Sequence, residues 1–163
     1  MSRAAPLRCI LAILLALVAA GPLLAQAGPR SAVQAPCCTV GIQPLESFND
    51  PLGQAVAARL TAAFEAAAGP DGPVTWLPSD TTARPRDAEG RPVRPEFMFT
   101  AEVFVDASQV SGAVRVAWKV EDTAYSSNRL VGHVDRVGAY ADSSIVNQIR
   151  REIRARLPQA GRL

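Results

Sequence analysis

The sequence predicts an α+β two-layer sandwich: a mixed sheet of four to five strands, with an antiparallel three-strand meander, covered on one face by two helices. Three observations carry this. Between Glu96 and Tyr140 apolar and polar residues alternate with the period of half-buried strands. Two other stretches, starting near Pro51 and near Asp142, repeat apolar residues at every fourth position, as amphipathic helices do. Short β-branched runs stand before and after the first of these helices.

Residues 1–27 read as a secretory signal peptide. Arg3 and Arg8 form a charged start, Cys9 to Ala20 is an unbroken apolar run, and Ala25-Gln26-Ala27 is a small-x-small cleavage signal. The run is short beside the roughly 20 residues of a spanning helix, and Gly21-Pro22 breaks it. The expected product is therefore a soluble periplasmic or secreted chain. Removing 27 of 163 residues leaves 136, the size of one domain.

Residues 28–38 are a polar, Pro-containing lead-in expected to be flexible. The domain is expected over residues 39–158. Thr39 to Leu45 is a short strand ended by Pro44. Asp50 can cap the first helix and Pro51 suits its first position. Leu52, Val56, Leu60 and Phe64 make its buried stripe, and Gly69-Pro70 stops it. Val74 to Leu77 is a second short strand carrying Trp76. Residues 78–95 are rich in proline and arginine without period, which reads as a long exposed loop.

The meander follows. Phe97, Phe99, Ala101, Val103 and Val105 share one face of the first strand. Val114, Val116, Trp118 and Val120 share one face of the second, and Leu130 to Tyr140 forms the third. Glu102 is expected among Arg115 and Lys119 as cross-strand charge pairs. Asp142 or Ser143 caps the last helix, Ile145, Ile149, Ile153 and Leu157 form its stripe, and Pro158 closes it. Residues 159–163 are expected to fray.

Charge and residue types exclude several functions. Seventeen basic residues less Arg3 and Arg8 equal the fifteen acidic ones, so the exported chain is neutral and no nucleic acid is expected as partner. Catalytic, cofactor-binding and metal residues are all expected to be none. A metal site needs converging ligands, and the chain has one histidine, His133. Gly-x-Ser-x-Gly and Gly-rich phosphate loops are absent from the sequence. An enzyme with its site near His133, or a lipid- or ligand-binding domain with an apolar cavity, is the alternative.

Two groups of residues are candidates for interaction. Arg150, Arg151, Arg154 and Arg156 form a basic side on the last helix, read either as a solvated face or as a dock for an acidic partner or phospholipid headgroups. Cys37 and Cys38 are adjacent. Neighbouring Cα atoms lie about 3.8 Å apart, whereas ordinary disulfides span about 4.4–6.8 Å, so a bond within the pair is strained. The alternatives are two thiols at a strand's start, one inward and one outward, or an intermolecular disulfide to another chain.

With these elements placed, “VGIQPLESFNDPLGQAVAARLTAAF” resembles the opening of the TolB amino-terminal-like domains. The same opening marks envelope proteins related to the curli secretion lipoprotein, the flagellar assembly lipoprotein and the outer-membrane activators of penicillin-binding proteins. Pro44-Leu45, Asn49-Asp50-Pro51, Ala58, Leu60, Thr61 and Phe64 fill the pattern's places. “FMFTAEVFVD…GAVRVAWKVEDTAYSSNRLVG” resembles the family's later hairpin, with Ala101 where a glycine is usual. The resemblance covers Val40 to Leu157, and no lipobox accompanies it. It implies a non-enzymatic role by protein–protein contact in envelope assembly, with an envelope protein as partner. Peripheral membrane contact and homo-oligomerisation are further expectations.

Overall fold

In the computed structural model, residues 37–48, 51–106, 108 and 112–160 are described. The expected signal peptide, the lead-in up to Pro36, the Asp50 cap, most of the turn after Asp106 and the end of the tail lie outside the described residues. The elements are β1 (Cys38–Ile42), α1 (Pro51–Ala66), β2 (Gly69–Asp71), β3 (Val74–Leu77), a 3₁₀ turn (Thr81–Ala83), β4 (Phe97–Asp106), β5 (Ala113–Asp122), β6 (Ser127–Val137) and α2 (Asp142–Ala160). They form one mixed sheet in the order β2-β3-β1-β4-β5-β6. β1 runs parallel to both β3 and β4, and the other neighbours are antiparallel. The two-layer α+β architecture is as expected, with six strands in place of four to five.

The additional strand is β2, at the Gly69-Pro70 read as a helix stop. Asp71 pairs with Val74, leaving Gly72 and Pro73 as the turn, and Gly72 takes the positive φ of 61°. Pro70 lacks an N–H, but β2 is an edge strand, where that loss is tolerated.

The inward faces follow the alternation. Phe99, Val103, Val116, Val120, Val134 and Trp118 are buried in one core with Val56, Leu60 and Phe64 of α1 and Ile145, Ile149, Ile153 and Leu157 of α2. Phe64 lies 4.7 Å from Phe99 and 6.0 Å from Trp76 between ring centroids, joining α1 to β4 and β3. The α1 stripe starts one turn later than expected: Leu52 is 50% exposed, and Val56 and Ala57 begin the buried row. α2 also runs past Pro158 to Ala160. The proline removes the backbone bond to the Arg154 carbonyl, but only two residues of the helix follow it, so little helix is left to disrupt.

The long Pro/Arg segment has a topological task. β3 and β4 flank β1, so their connection must cross β1, a lateral step of about 10 Å. The helices occupy one face, and the segment takes the other. A Cβ on Gly41 would lie 2.8 Å from both Pro95 Cγ and Met98 Sδ, so the chain crosses where β1 has no side chain. Glu96 fixes the crossing: its N–H donates to Thr39 O at 3.1 Å, and its carboxylate accepts from the Thr39 N–H at 2.8 Å. The loop is also ordered internally, through the 3₁₀ turn capped by Asp80 and the Arg86–Pro92 bridge.

Two further contacts hold the layers and strands in place. Asp71 accepts from Arg150 Nε at 3.2 Å and from Arg154 Nη1 at 2.8 Å, tying α2 to the β2–β3 hairpin. At the other end Trp118 lies across Gly132, its partner on β6, and a Cβ there would come within 2.3 Å of the indole.

Two outcomes are expected. Gly132→Ala should overpack the core and lower stability by about 1–3 kcal/mol in thermal melts. Adding Trp118→Leu should recover part of that loss; strictly additive losses would show that the two positions do not meet. Asp71→Ala should cost roughly 1–3 kcal/mol, because Arg150 keeps only 13% side-chain exposure and loses its carboxylate. Arg154→Ala, at a 45% exposed position, should cost less; equal losses would mean that Arg150 does not depend on Asp71.

Candidate functional site

The helices cover one face of the sheet and the Pro/Arg segment crosses the other at β1. The outward face of β4, β5 and β6 carries the candidate surface. Its rows are set by register. Thr100, Lys119 and Val131 lie side by side, then Glu102, Ala117 and His133, then Phe104, Arg115 and Asp135, and Val137 closes the last row beside Ala113.

The charges pair differently from the expectation. Glu102 stands opposite Ala117, and neither Arg115 nor Lys119 bonds it. Arg115 Nε donates to Asp135 at 2.7 Å, directly across the strands, and Lys119 Nζ donates to Glu121 at 3.0 Å. Directly opposite side chains are nearer than diagonal ones, so Arg115 takes the β6 carboxylate. The hydrogen bond from Arg115 holds the Asp135 carboxyl below the usual aspartate range, and the same bond raises the arginine. At the β5–β6 turn Asp122 is lowered too, first by the Ala124 N–H that it accepts and also by Arg129.

Apolar side chains interrupt this charged lattice. Phe104 is 48% exposed, Val131 58% and Val137 65%. A hollow of about 490 Å³ is lined by Phe104, Val137, Arg115 and Asp135. A second, of about 510 Å³, is lined by Gln43, Glu46, Thr100, Glu102 and Lys119 among others. The sequence contained the signal for the first: Phe104 has the parity of Glu102 and Asp106, an aromatic ring on the polar face of its strand.

His133 lies on this same face, 65% exposed, with Nε2 3.6 Å from Asp135. Among the described residues no three His, Cys, Asp or Glu side chains gather as a metal site.

The arginines of α2 divide. Arg150 bonds Asp71 and the Ala67 carbonyl and stands 5.5 Å over the Trp76 ring. Arg154 shares Asp71, and Arg156 reaches the Val131 carbonyl at 3.3 Å while lying 5.8 Å over Trp118. Arg151 is exposed at a hollow of about 300 Å³ lined by Asp71, Asn147, Arg150 and Arg154. Three of the four residues of the basic side therefore hold the fold together.

Cys37 and Cys38 are joined to each other as a vicinal disulfide. A bond to another chain would need the same sulfurs. Cys38 is buried at the start of β1, Cys37 is exposed, and the Cys37 N–H donates to Pro73 O at 2.7 Å.

No family model matches this chain, and no curated protein matches it. It is similar in structure to the hypothetical protein CT253 from Chlamydia trachomatis, at 13% identity over 74% of this chain and 95% of that one, TM-score 0.47. It is similar to TolB from Acinetobacter baumannii at 16% identity over 76% of this chain and 28% of that one, TM-score 0.45. Lipoprotein GNA1162 from Neisseria meningitidis is similar at 11% identity over 74% of this chain and 96% of that one, TM-score 0.41.

Proposed function

We propose that this chain is a non-enzymatic, exported envelope protein that acts by binding a protein partner on the open face of its meander. The observation that carries this reading is Phe104: a half-exposed aromatic beside Val137 and the Arg115–Asp135 pair, on the sheet face that no helix of the described residues covers. An apolar anchor ringed by paired charges has the composition of an interface centre. Export rests on the sequence, on Arg3, Arg8, the Cys9–Ala20 run and Ala25-Gln26-Ala27. The envelope role is supported by the resemblance of the Val40–Leu157 pattern to TolB amino-terminal-like domains.

The test is affinity capture of the tagged chain from the envelope fraction, with Phe104→Asp compared against Tyr125→Asp. Tyr125 is 77% exposed at the β5–β6 turn, away from the face, and serves as control. Phe104→Asp should lose the captured partner and Tyr125→Asp should keep it. Both should melt close to the parent, because exposed substitutions typically stay within about 0.5 kcal/mol. An unchanged set of captured proteins with Phe104→Asp would remove the open face as the binding surface.

A further inference from the structure

β6 ends the sheet with a strand of 11 residues, and among the described residues one side of it has no neighbouring strand. Two hydrogen bonds show which backbone groups face that side. The Gly138 N–H donates to Gly112 O at 3.1 Å, so even-numbered residues bond toward β5. The Val131 carbonyl accepts from Arg156 Nη1, so odd-numbered residues turn outward. This is the alternation of an antiparallel ladder. Val131, His133, Asp135 and Val137 therefore combine edge-facing backbone groups with side chains on the open face. A long strand with such an edge is a template for a further strand.

We propose that this edge pairs, antiparallel, with the same edge of a second copy of the chain, about a two-fold axis at Val134. In that register Val131 faces the partner's Val137, and His133 faces the partner's Asp135. Symmetry gives each pair twice. Val131 and Val137 are 58% and 65% exposed in the single chain, so the pairing covers apolar surface that is otherwise wet. The imidazole meets a carboxylate. Neighbouring registers lack this match. Centring on His133 sets the two histidines against each other. Centring on Gly132 sets Arg129 against Asp135 but Val131 against a histidine, so no valine pair forms. Pairing requires two arginines to give way: Arg156 must release the Val131 carbonyl at the end of the seam, and Arg136 Nη1 must release the Asp135 carbonyl that it reaches at 2.8 Å. Phe104 is on β4, two strands from the edge, so the dimer stands or falls separately from partner binding there.

The test is sedimentation equilibrium of the exported protein, purified from cells, over a range of concentrations. The parent should show a monomer–dimer equilibrium. Val131→Lys with Val137→Lys sets lysine against lysine at both ends and should weaken dimerisation at least tenfold, to roughly the extent of two like-charge pairs. At concentrations where the parent is monomeric, melting should stay at the parent value, because both positions are exposed. Phe104→Asp should leave the dimer unchanged. For the register, Val131→Cys with Val137→Cys, in a Cys37→Ser, Cys38→Ser background, should give a covalent dimer on oxidation, and Val131→Cys alone should not. A monomer at every concentration, a dimer indifferent to the lysines, or crosslinking by the single cysteine variant would each overturn the proposal.

Discussion

The fold depends on β1 pairing in parallel with both of its neighbours. Parallel strands cannot be joined by a tight turn, so each join must leave the sheet plane and return. The first does so through α1, on the face where the core forms. The second moves in the opposite direction across β1, from β3 to β4, and uses the opposite face. Reversing both direction and face preserves the hand of a crossover, which parallel connections conserve strongly. A single constraint thus accounts for the length of the Pro/Arg segment, the absence of a side chain at Gly41 and the lacing of Glu96 to Thr39.

That constraint also determines where the molecule is bare. The crossing segment covers the outer side of β1, and the helices cover the whole inner side. Among the described residues no helix or crossing segment covers the outward rows of β4, β5 and β6. Charged side chains occupy most of those rows, as expected of a wet face, and Arg115–Asp135 and Lys119–Glu121 neutralise each other there. Such exposed pairs contribute little to stability. Phe104 is out of place in that setting, which is why it carries the functional reading.

Much of this was legible in the residues. Alternation assigned the inward faces of β4 and β5 position by position, and the i+4 stripes found both helices, because those periods follow from local geometry. What failed was non-local. The basic side of α2 looked solvated because its partner, Asp71, lies 79 residues earlier than Arg150, and no local pattern links them. β2 was hidden because Gly69-Pro70 has the same composition whether it ends a helix or lies on a sheet edge. Glu102 does lie diagonally between Arg115 and Lys119, but their bonds go to Asp135 and Glu121, and the placing of Asp135 depends on a register between β5 and β6 that neither strand writes alone. Of the candidate surface, the parity of Phe104 was visible, but its exposure is a property of the assembled sheet.

The stacking of arginines on indoles has an optical consequence. The chain's two tryptophans, Trp76 and Trp118, are 1% and 3% exposed, and each lies beneath an arginine of the same helix, Arg150 or Arg156. Neither indole N–H has a hydrogen-bond partner among the described residues. Each ring therefore emits from a dry site with one arginine charge above it, and indole emission shifts in wavelength with nearby charge and water. Intrinsic fluorescence then reports the docking of α2 at two places, its middle through Trp76 and its final turns through Trp118. Replacing one tryptophan at a time by phenylalanine would separate the two signals and time the release of each part of the helix without an added label.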